Sequence, residues 1–304
     1  MNSFQTIGVI GKRGDARATA TLRQLCEQLG RHGREVVVET ATAMELAAGA
    51  FEVADVKTIA GRCDLAVVVG GDGTLLDAGR ALAPSGVPIL GVNQGRLGFL
   101  VDVRPEDMQE TLESVFRGEF LTEDRPLLET RVRSRGTATD GAGLPLLAVN
   151  DVVIRNLATI RMLEFETWLG EEFISAHRAD GLIVCTPTGS TAYALSGGGP
   201  VLHPGLEAIA LVPICPHTLS DRPIVVGANL PIRIVMRGDV AGATVTCDGQ
   251  INSPLSLGDE IVVARSLHAL RLIHPRSYNY FDLLRTKLQW GRSPASPSNH
   301  SQHD

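Results

Sequence analysis

Leu65-Ala66-Val67-Val68-Val69-Gly70-Gly71-Asp72-Gly73-Thr74-Leu75-Leu76 reads as an apolar strand that runs into a glycine turn and out into a helix. Leu65–Val69 is too short for a helix and carries three consecutive valines, the pattern of a strand buried on both faces. Thr74–Ala83 has helical spacing. A helix N-terminus presents unpaired N–H groups and partial positive charge, which suit a phosphate. Glycines let the backbone turn sharply and come close to a ligand. Gly70, Gly71, Gly73 and Thr74 are therefore the candidate phosphate cradle. Asp72 is the odd member, because a carboxylate repels phosphate. It fits if it meets a metal ion or takes a proton from a substrate hydroxyl, and both belong to phosphoryl transfer. The plainer alternative is a tight turn in which Asp72 and Thr74 cap the helix.

Outward from this segment the first third alternates between strand and helix. Thr6–Ile10, Glu35–Glu39 and Pro88–Val92 are short apolar runs, and Ala18–His32 and Pro105–Arg117 have helical spacing. That alternation predicts a parallel sheet covered on both faces, a Rossmann-like α/β unit over residues 1–122. From about Pro126 to Pro275 short β runs separated by turns dominate, among them Leu128–Val132, Leu163–Leu169, Thr244–Cys247 and Leu270–Ile273. They predict a β-rich, sandwich-like unit over 123–275. Gly136–Leu144 reads as a surface loop, Phe281–Leu288 as a returning helix within 276–292, and 293–304 as a disordered tail.

Composition narrows the function. The chain has 304 residues, enough for two domains, with 44% hydrophobic and 20% charged residues, the mix of a globular protein. Its net charge of −6 and its 4% aromatics argue against a nucleic-acid binder. The five cysteines, Cys26, Cys63, Cys185, Cys215 and Cys247, are scattered and form no CxxC, so neither a disulfide framework nor a zinc site is expected. Met1–Gly11 has no leader pattern, and no run of 18 apolar residues occurs, so a cytoplasmic chain without membrane spans is expected. Neither a P-loop signature nor G-x-G-x-x-G is present.

A second constellation runs from Asp180 to Pro200. An apolar strand enters a hydroxyl-rich turn with Thr186, Thr188, Ser190, Thr191, Tyr193 and Ser196, followed by Gly197-Gly198-Gly199-Pro200. Uncharged hydroxyls suit ribose and base edges, and Tyr193 adds a flat face. An elaborate helix cap is the alternative. Asn150-Asp151 and Asp248-Gly249-Gln250 read first as turns. The histidines show no metal-ligand spacing, so any metal is expected as Mg²⁺ or Mn²⁺ arriving with nucleotide phosphates.

Taken together, these segments resemble the NAD kinase family. Gly70–Thr74 is similar to a signature shared by NAD kinases, diacylglycerol and sphingosine-type lipid kinases and phosphofructokinases, and does not separate them. Asp180–Tyr193, Asn93–Leu100, Pro216–Pro223 and Asp248–Gln250 resemble NAD kinases specifically, and Tyr278–Phe281 with Lys287-Leu288 resembles bacterial members. The likeness runs in order from about Thr6 to Gly291. It implies an ATP-dependent kinase acting on the adenosine ribose 2′-hydroxyl of NAD, with a last segment packing back on the first domain and a homodimer or homotetramer as the assembly. It implies Asp72 as the catalytic base beside Gly73, and Asn150 and Asp151 as holders of the nucleoside; the family usually has Glu at the latter position. It further implies NAD contacts from Asp180, Thr191, Ala192, Tyr193, Ala194, Leu195 and Ser196. Arg178 matches a position tied to preference for NAD over NADH, and Arg161 and Gln250 are weaker matches. By the same likeness Asp248–Gln250 would reach a neighbouring subunit's site. A lipid or sugar kinase, or a non-catalytic NAD(P) sensor, are the alternatives.

Overall fold

The computed structural model describes residues 4–46, 51–95, 97–134, 145–156, 161–218 and 220–290. The expected loop at 136–144 and tail at 293–304 lie outside them. The first part of the chain runs β1 (Thr6–Gly11), α1 (Ala16–Arg31), β2 (Glu35–Glu39), α2 (Thr40–Leu46), β3 (Glu52–Ala54), α3 (Val56–Arg62), β4 (Leu65–Gly70), α4 (Asp72–Leu82), β5 (Ile89–Asn93) and α5 (Met108–Phe116). The strands pair in parallel in the order β5-β4-β1-β2-β3. All six residues of β4 are buried, as its valine run requires. One face of this sheet packs on α1 through Leu22, Leu25, Cys26 and Leu29, and the other on α4 through Leu75, Leu76, Ala78 and Leu82. Asp15 caps α1 by accepting from the Arg17 N–H at 3.1 Å.

The rest is β-rich: β6 (Phe120–Arg133), β7 (Leu146–Ala148), β8 (Asp151–Asn156), β9 (Leu163–Leu169), β10 (Glu172–Ala179), β11 (Gly181–Cys185), the short α6 (Tyr193–Ser196), β12 (Ala208–Ile214), β13 (Ile224–Gly227), β14 (Ile232–Arg237), β15 (Ala243–Cys247), β16 (Ile251–Pro254), β17 (Glu260–Pro275) and the helix α7 (Tyr280–Leu288). One antiparallel sheet has the order β13-β12-β11-β8-β15-β16. The remaining strands join the parallel sheet through β17, a 16-residue strand. Ile232 to Val235 of β14 pair with its first half, while Leu272 and Ile273 pair with Ile89 and Leu90 of β5. Apolar side chains from the two sheets, including Ile154, Phe165, Leu182, Ile234 and Val245, fill the space between them. Among the described residues the chain thus has a parallel α/β part and a β-rich part sewn together by one strand. The 14-residue β6 runs through the point at residue 122 where the sequence changes character.

Candidate active site

The helix α4 begins at Asp72, two residues earlier than its sequence spacing suggests, with Gly71 as an N-cap that makes no side-chain hydrogen bond. The helix-cap reading of Asp72 is thereby excluded. Its carboxylate turns to the adjacent loop instead, where Oδ2 accepts from the Phe99 N–H at 2.8 Å and Oδ1 from those of Leu100 and Val101 at 3.1 and 3.2 Å. A carboxylate has about four acceptor positions, so three donors fix its orientation and leave one open. Gly98 makes room for this clasp: a Cβ there would lie 1.9 Å from Asp72 Oδ1.

The glycines beside Asp72 have separate reasons. A Cβ on Gly70 would sit 2.6 Å from Thr74 Oγ1, so that position is closed by the helix itself. A Cβ on Gly71 would meet nothing within 4 Å, and one on Gly73 only Gln250 Nε2 at 3.8 Å. Neither has a positive φ. Internal packing therefore does not demand glycine at 71 or 73, and the open room over them is where a bound group can approach the helix N-terminus.

A cavity of about 280 Å³ lies along the outer face of β8, lined by Asn150, Asp151, Val153, Arg155, Ala192, Tyr193, Thr246, Asp248 and Gly249. Residues 151, 153 and 155 line it together because alternate residues of a strand share a face. The turn at Asp248-Gly249 joins this cavity to α4. Both residues have left-handed φ values, +51° and +66°, which Asp tolerates and Gly adopts freely. The Asp248 side chain is fully buried and its carboxylate accepts from three consecutive amides, Val149 at 3.0 Å, Asn150 at 2.7 Å and Asp151 at 3.2 Å. Arg80 on α4 closes the arrangement with Nη1 2.6 Å from Asp248 Oδ2, and its Nη2 donates to Asp77 and to Gln250 Oε1. Gln250 Nε2 in turn donates to the Gly73 carbonyl at 3.0 Å. Asp248 and Gln250 thus tie the turn to α4 and to the start of β8 within one chain.

Asp151 sits beside that buried charge. Burial, and secondly the negative charge of Asp248, push its carboxyl up to about 7. Arg155 was not singled out by sequence; its Nε is buried without a hydrogen-bond partner, and its place in the cavity wall becomes visible only once β8 is known to be a strand. Arg80 was likewise missed, because an arginine in the last turn of a helix looks like a solvated one.

The hydroxyl-rich loop is less open to ligand than its composition suggests. Thr186 Oγ1 donates to the Val149 carbonyl at 2.6 Å and accepts from the Gly189 N–H at 3.0 Å. Ser190 Oγ donates to Pro187 O at 2.6 Å and accepts from Leu202 N, and Thr191 Oγ1 donates to Thr188 O at 3.2 Å. These hydroxyls fold the loop, as the cap alternative required. A Cβ on Gly189 would lie 2.1 Å from the Asn150 carbonyl, so the loop is pressed directly onto that residue's backbone. Ala192 and Tyr193 face the cavity, and Tyr193 is 39% exposed. Ala194 is buried in a small core with Val153, Ile183 and Cys185 and presents no side chain to it. Leu195 is half-buried and Ser196 exposed; neither is among the lining residues.

Arg161, Arg178 and Asp180 are not brought to this cavity. Arg161 pairs with Asp239 at 2.7 Å, and Arg178 lies 3.9 Å from Glu164, both exposed. Asp180 is exposed at the start of β11, whose opposite end, Cys185, pairs with Asp151. At about 3.3 Å per residue, that puts Asp180 roughly 15–20 Å from Thr186.

Comparison with known proteins fits this geometry. Residues 7–120 match the family model described as the ATP-NAD kinase N-terminal domain, and 149–275 match the ATP-NAD kinase C-terminal domain. An NAD kinase of Ectopseudomonas mendocina is 46% identical over 292 residues, covering 96% of this chain and 98% of that protein. One from Chromohalobacter salexigens is 47% identical over 291 residues, covering 95% and 98%. Among solved structures, a yeast NADH kinase complexed with NADH superposes with a TM-score of 0.87 at 24% identity, covering 98% of this chain and 91% of that one. An Archaeoglobus fulgidus NAD kinase in complex with ATP gives 0.71 at 27%, covering 93% and 98%. With both family models matched in order and curated relatives aligned over almost their whole length, the chain belongs to the ATP-NAD kinase family.

Proposed function

We propose that Asp72 is the general base in the phosphorylation of the adenosine ribose 2′-hydroxyl of NAD by ATP. The chain is a phosphotransferase with an alcohol acceptor, and the reaction is the conversion of NAD to NADP. The lipid-kinase, sugar-kinase and sensor alternatives are not favoured. The observation that carries the role of Asp72 is its placement: a carboxylate oriented by three amides at the first residue of α4, beside two glycines with open room above them.

In this reading the parallel unit, residues 1–122, supplies Asp72 and the cradle of Gly70, Gly71, Gly73 and Thr74. The β-rich unit, 123–275, supplies the nucleoside cavity with Asn150, Asp151, Ala192 and Tyr193, and residues 276–290 close back on the first unit, where Lys287 lies over the Phe99 ring. Asp72 accepts the hydroxyl proton as the ribose oxygen attacks the γ-phosphorus and the bond to the β–γ bridging oxygen breaks. The exposed N-terminal turn of α4 offsets charge on the phosphates. Among the described residues no group of three or more His, Cys, Asp or Glu converges on one point. A divalent ion, Mg²⁺ or Mn²⁺, fits as a companion of the ATP phosphates and supplies charge neutralisation there. Most of the rate gain then comes from positioning and electrostatics.

Arg161, Arg178 and Asp180, lying away from the cavity, suit contact with the nucleotide of a second copy, so the working unit is a homodimer or homotetramer. A cytoplasmic setting goes with the substrates; among the described residues no helix is long and apolar enough to cross a membrane. The test is a coupled assay for NADP from ATP, NAD and Mg²⁺. Product formation at a steady turnover is expected, and no product at micromolar enzyme would refute the reading.

A further inference from the structure

Behind the Asp72 clasp lies a buried polar chain that the reaction does not itself use. His274, near the end of β17, is 1% exposed. Its Nδ1 is 2.9 Å from Asp102 Oδ2, and its Nε2 is 3.3 Å from Glu123 Oε2, close enough for charge attraction though not aligned as a hydrogen bond. Glu123 Oε2 accepts from Arg125 Nη2 at 2.8 Å, and Arg125 is itself 2% exposed. Arg125 then donates to Thr188 Oγ1 at 3.4 Å and to the Tyr278 hydroxyl at 3.2 Å. The Tyr278 ring stacks on His274 at 3.9 Å.

The two ends of this chain are the two halves of the active site. Asp102 directly follows Phe99, Leu100 and Val101, whose amides hold Asp72. That turn is closed by the Gly98 N–H to the Val101 carbonyl, and Val103 is bonded back to β5 through Gly91 and Asn93. Thr188 opens the turn that carries Ala192 and Tyr193 into the nucleoside cavity. From these contacts we infer that His274 is a positioning residue, which through Asp102 sets the clasp on Asp72 and through Glu123 and Arg125 sets the nucleoside loop. The inference rests on the proposed role of Asp72.

Burial works against a charged imidazole, but Asp102 and Glu123 outweigh it and hold His274 above its usual value of 6.5. The other ionisable groups around it are Arg125 and Glu123 on β6, and Tyr278 and Tyr280 beyond β17. Beyond Asp102 a cavity of about 460 Å³ adds Asp107, Glu110, Glu119 and Arg276. Protonated His274 pins both carboxylates. Its hold on the fold is complete below the unfolded value and is lost as pH rises through the raised folded one.

The wild-type enzyme is assayed first for NADP formation; if it makes none, the proposed function fails and not merely this inference. With an active wild type, kcat and the KM for NAD are measured against pH for His274→Gln, Asp102→Asn and Thr188→Val. The wild type is expected to lose kcat at alkaline pH as His274 gives up its proton; His274→Gln is expected to lower kcat about 10- to 100-fold, the scale of a displaced catalytic group, to raise KM, and to lack that alkaline fall. Asp102→Asn should act mainly on kcat and Thr188→Val mainly on KM. A folded His274→Gln enzyme with turnover within about twofold of wild type, or with the alkaline limb unmoved, overturns the inference. If that variant does not fold, the other two decide: equal effects on kcat and KM from both overturn it, and the split supports it.

Discussion

Arg80 Nη1 lies 2.6 Å from Asp248 Oδ2, although 168 residues separate them in the chain. Their side chains are 6% and 0% exposed. The pair fastens the helix that starts with Asp72 to the turn that lines the cavity along β8, so the two parts of the candidate site are held in one register.

Removing the arginine strands a buried carboxylate that still accepts three amide bonds. Arg80→Leu should cost about 3–5 kcal/mol of stability, the usual result of leaving one buried charge unpaired. Urea unfolding measures it. Asp248→Asn leaves Arg80 its exposed partner Asp77 and Gln250 and should cost less, and the double replacement should cost less than the sum of the two. Strict additivity would show that the pair does not couple the two parts.

Asp72→Asn tests the base. The amide keeps one oxygen for Leu100 and Val101 but turns an N–H group toward Phe99. A modest loss of stability, about 1–3 kcal/mol, is expected. NAD binding measured by calorimetry should be largely kept, while kcat falls by about 10²–10⁴. Full turnover in this variant would remove Asp72 from the chemistry.

Gly98→Ala disturbs the same group without replacing it. The new methyl would start 1.9 Å from Asp72 Oδ1 and 2.6 Å from its Cγ, so either the carboxylate or the turn has to move. About a tenfold or greater loss of kcat is expected, with the KM for ATP little changed. A crystal structure of the variant should show the three amide bonds to Asp72 broken. Wild-type kinetics would mean that the clasp is not needed.

The parts of this architecture that could be read from sequence are those written in local patterns. Val67–Gly70 is buried on both faces, so its apolar run was unambiguous, and Gly70–Thr74 has its meaning in five adjacent letters. The strand at Glu172–Ala179 was not legible, because its residues are mostly exposed or half-buried and polar ones are common among them. Contacts such as Arg80 with Asp248, or Arg125 with Thr188, leave no local trace, since they depend on how distant strands come into register. The hydroxyls of Thr186, Ser190 and Thr191 were ambiguous for a related reason, since each makes a bond within its own loop. Composition cannot tell a hydroxyl that meets a ligand from one that folds its own loop.

Asp151 predicts a pH dependence. Its carboxyl is held near 7, against 3.8 for an unperturbed Asp. Between those values the native state keeps a proton that the unfolded chain has lost, so stability falls as pH rises through that window and levels off above it. Asp151→Asn carries no such penalty. Its advantage in thermal unfolding should be small at pH 4 and grow to about 1–3 kcal/mol by pH 8. A constant difference across that range would show that Asp151 ionises normally.

Asp180 offers the sharpest test of assembly. It stands between β10 and β11, at the end of β11 opposite the one that pairs with Asp151, and with Arg161 and Arg178 it stays clear of its own chain's cavity. If Asp180 serves the site of a second copy, Asp72→Asn and Asp180→Ala should each be poorly active alone. Their mixture, after dissociation and reassociation, contains mixed pairs in which one site joins an intact Asp72 to a partner's intact Asp180. Random pairing should restore about a quarter of wild-type activity in a two-fold assembly. Complementation would be absent if Asp180 acted within its own chain, because every site would then lack one group or the other. An Asp180→Ala enzyme with full activity would leave the residue outside the site altogether. Size-exclusion chromatography of the wild type, run beside the mixing experiment, shows whether pairs form at the assay concentration.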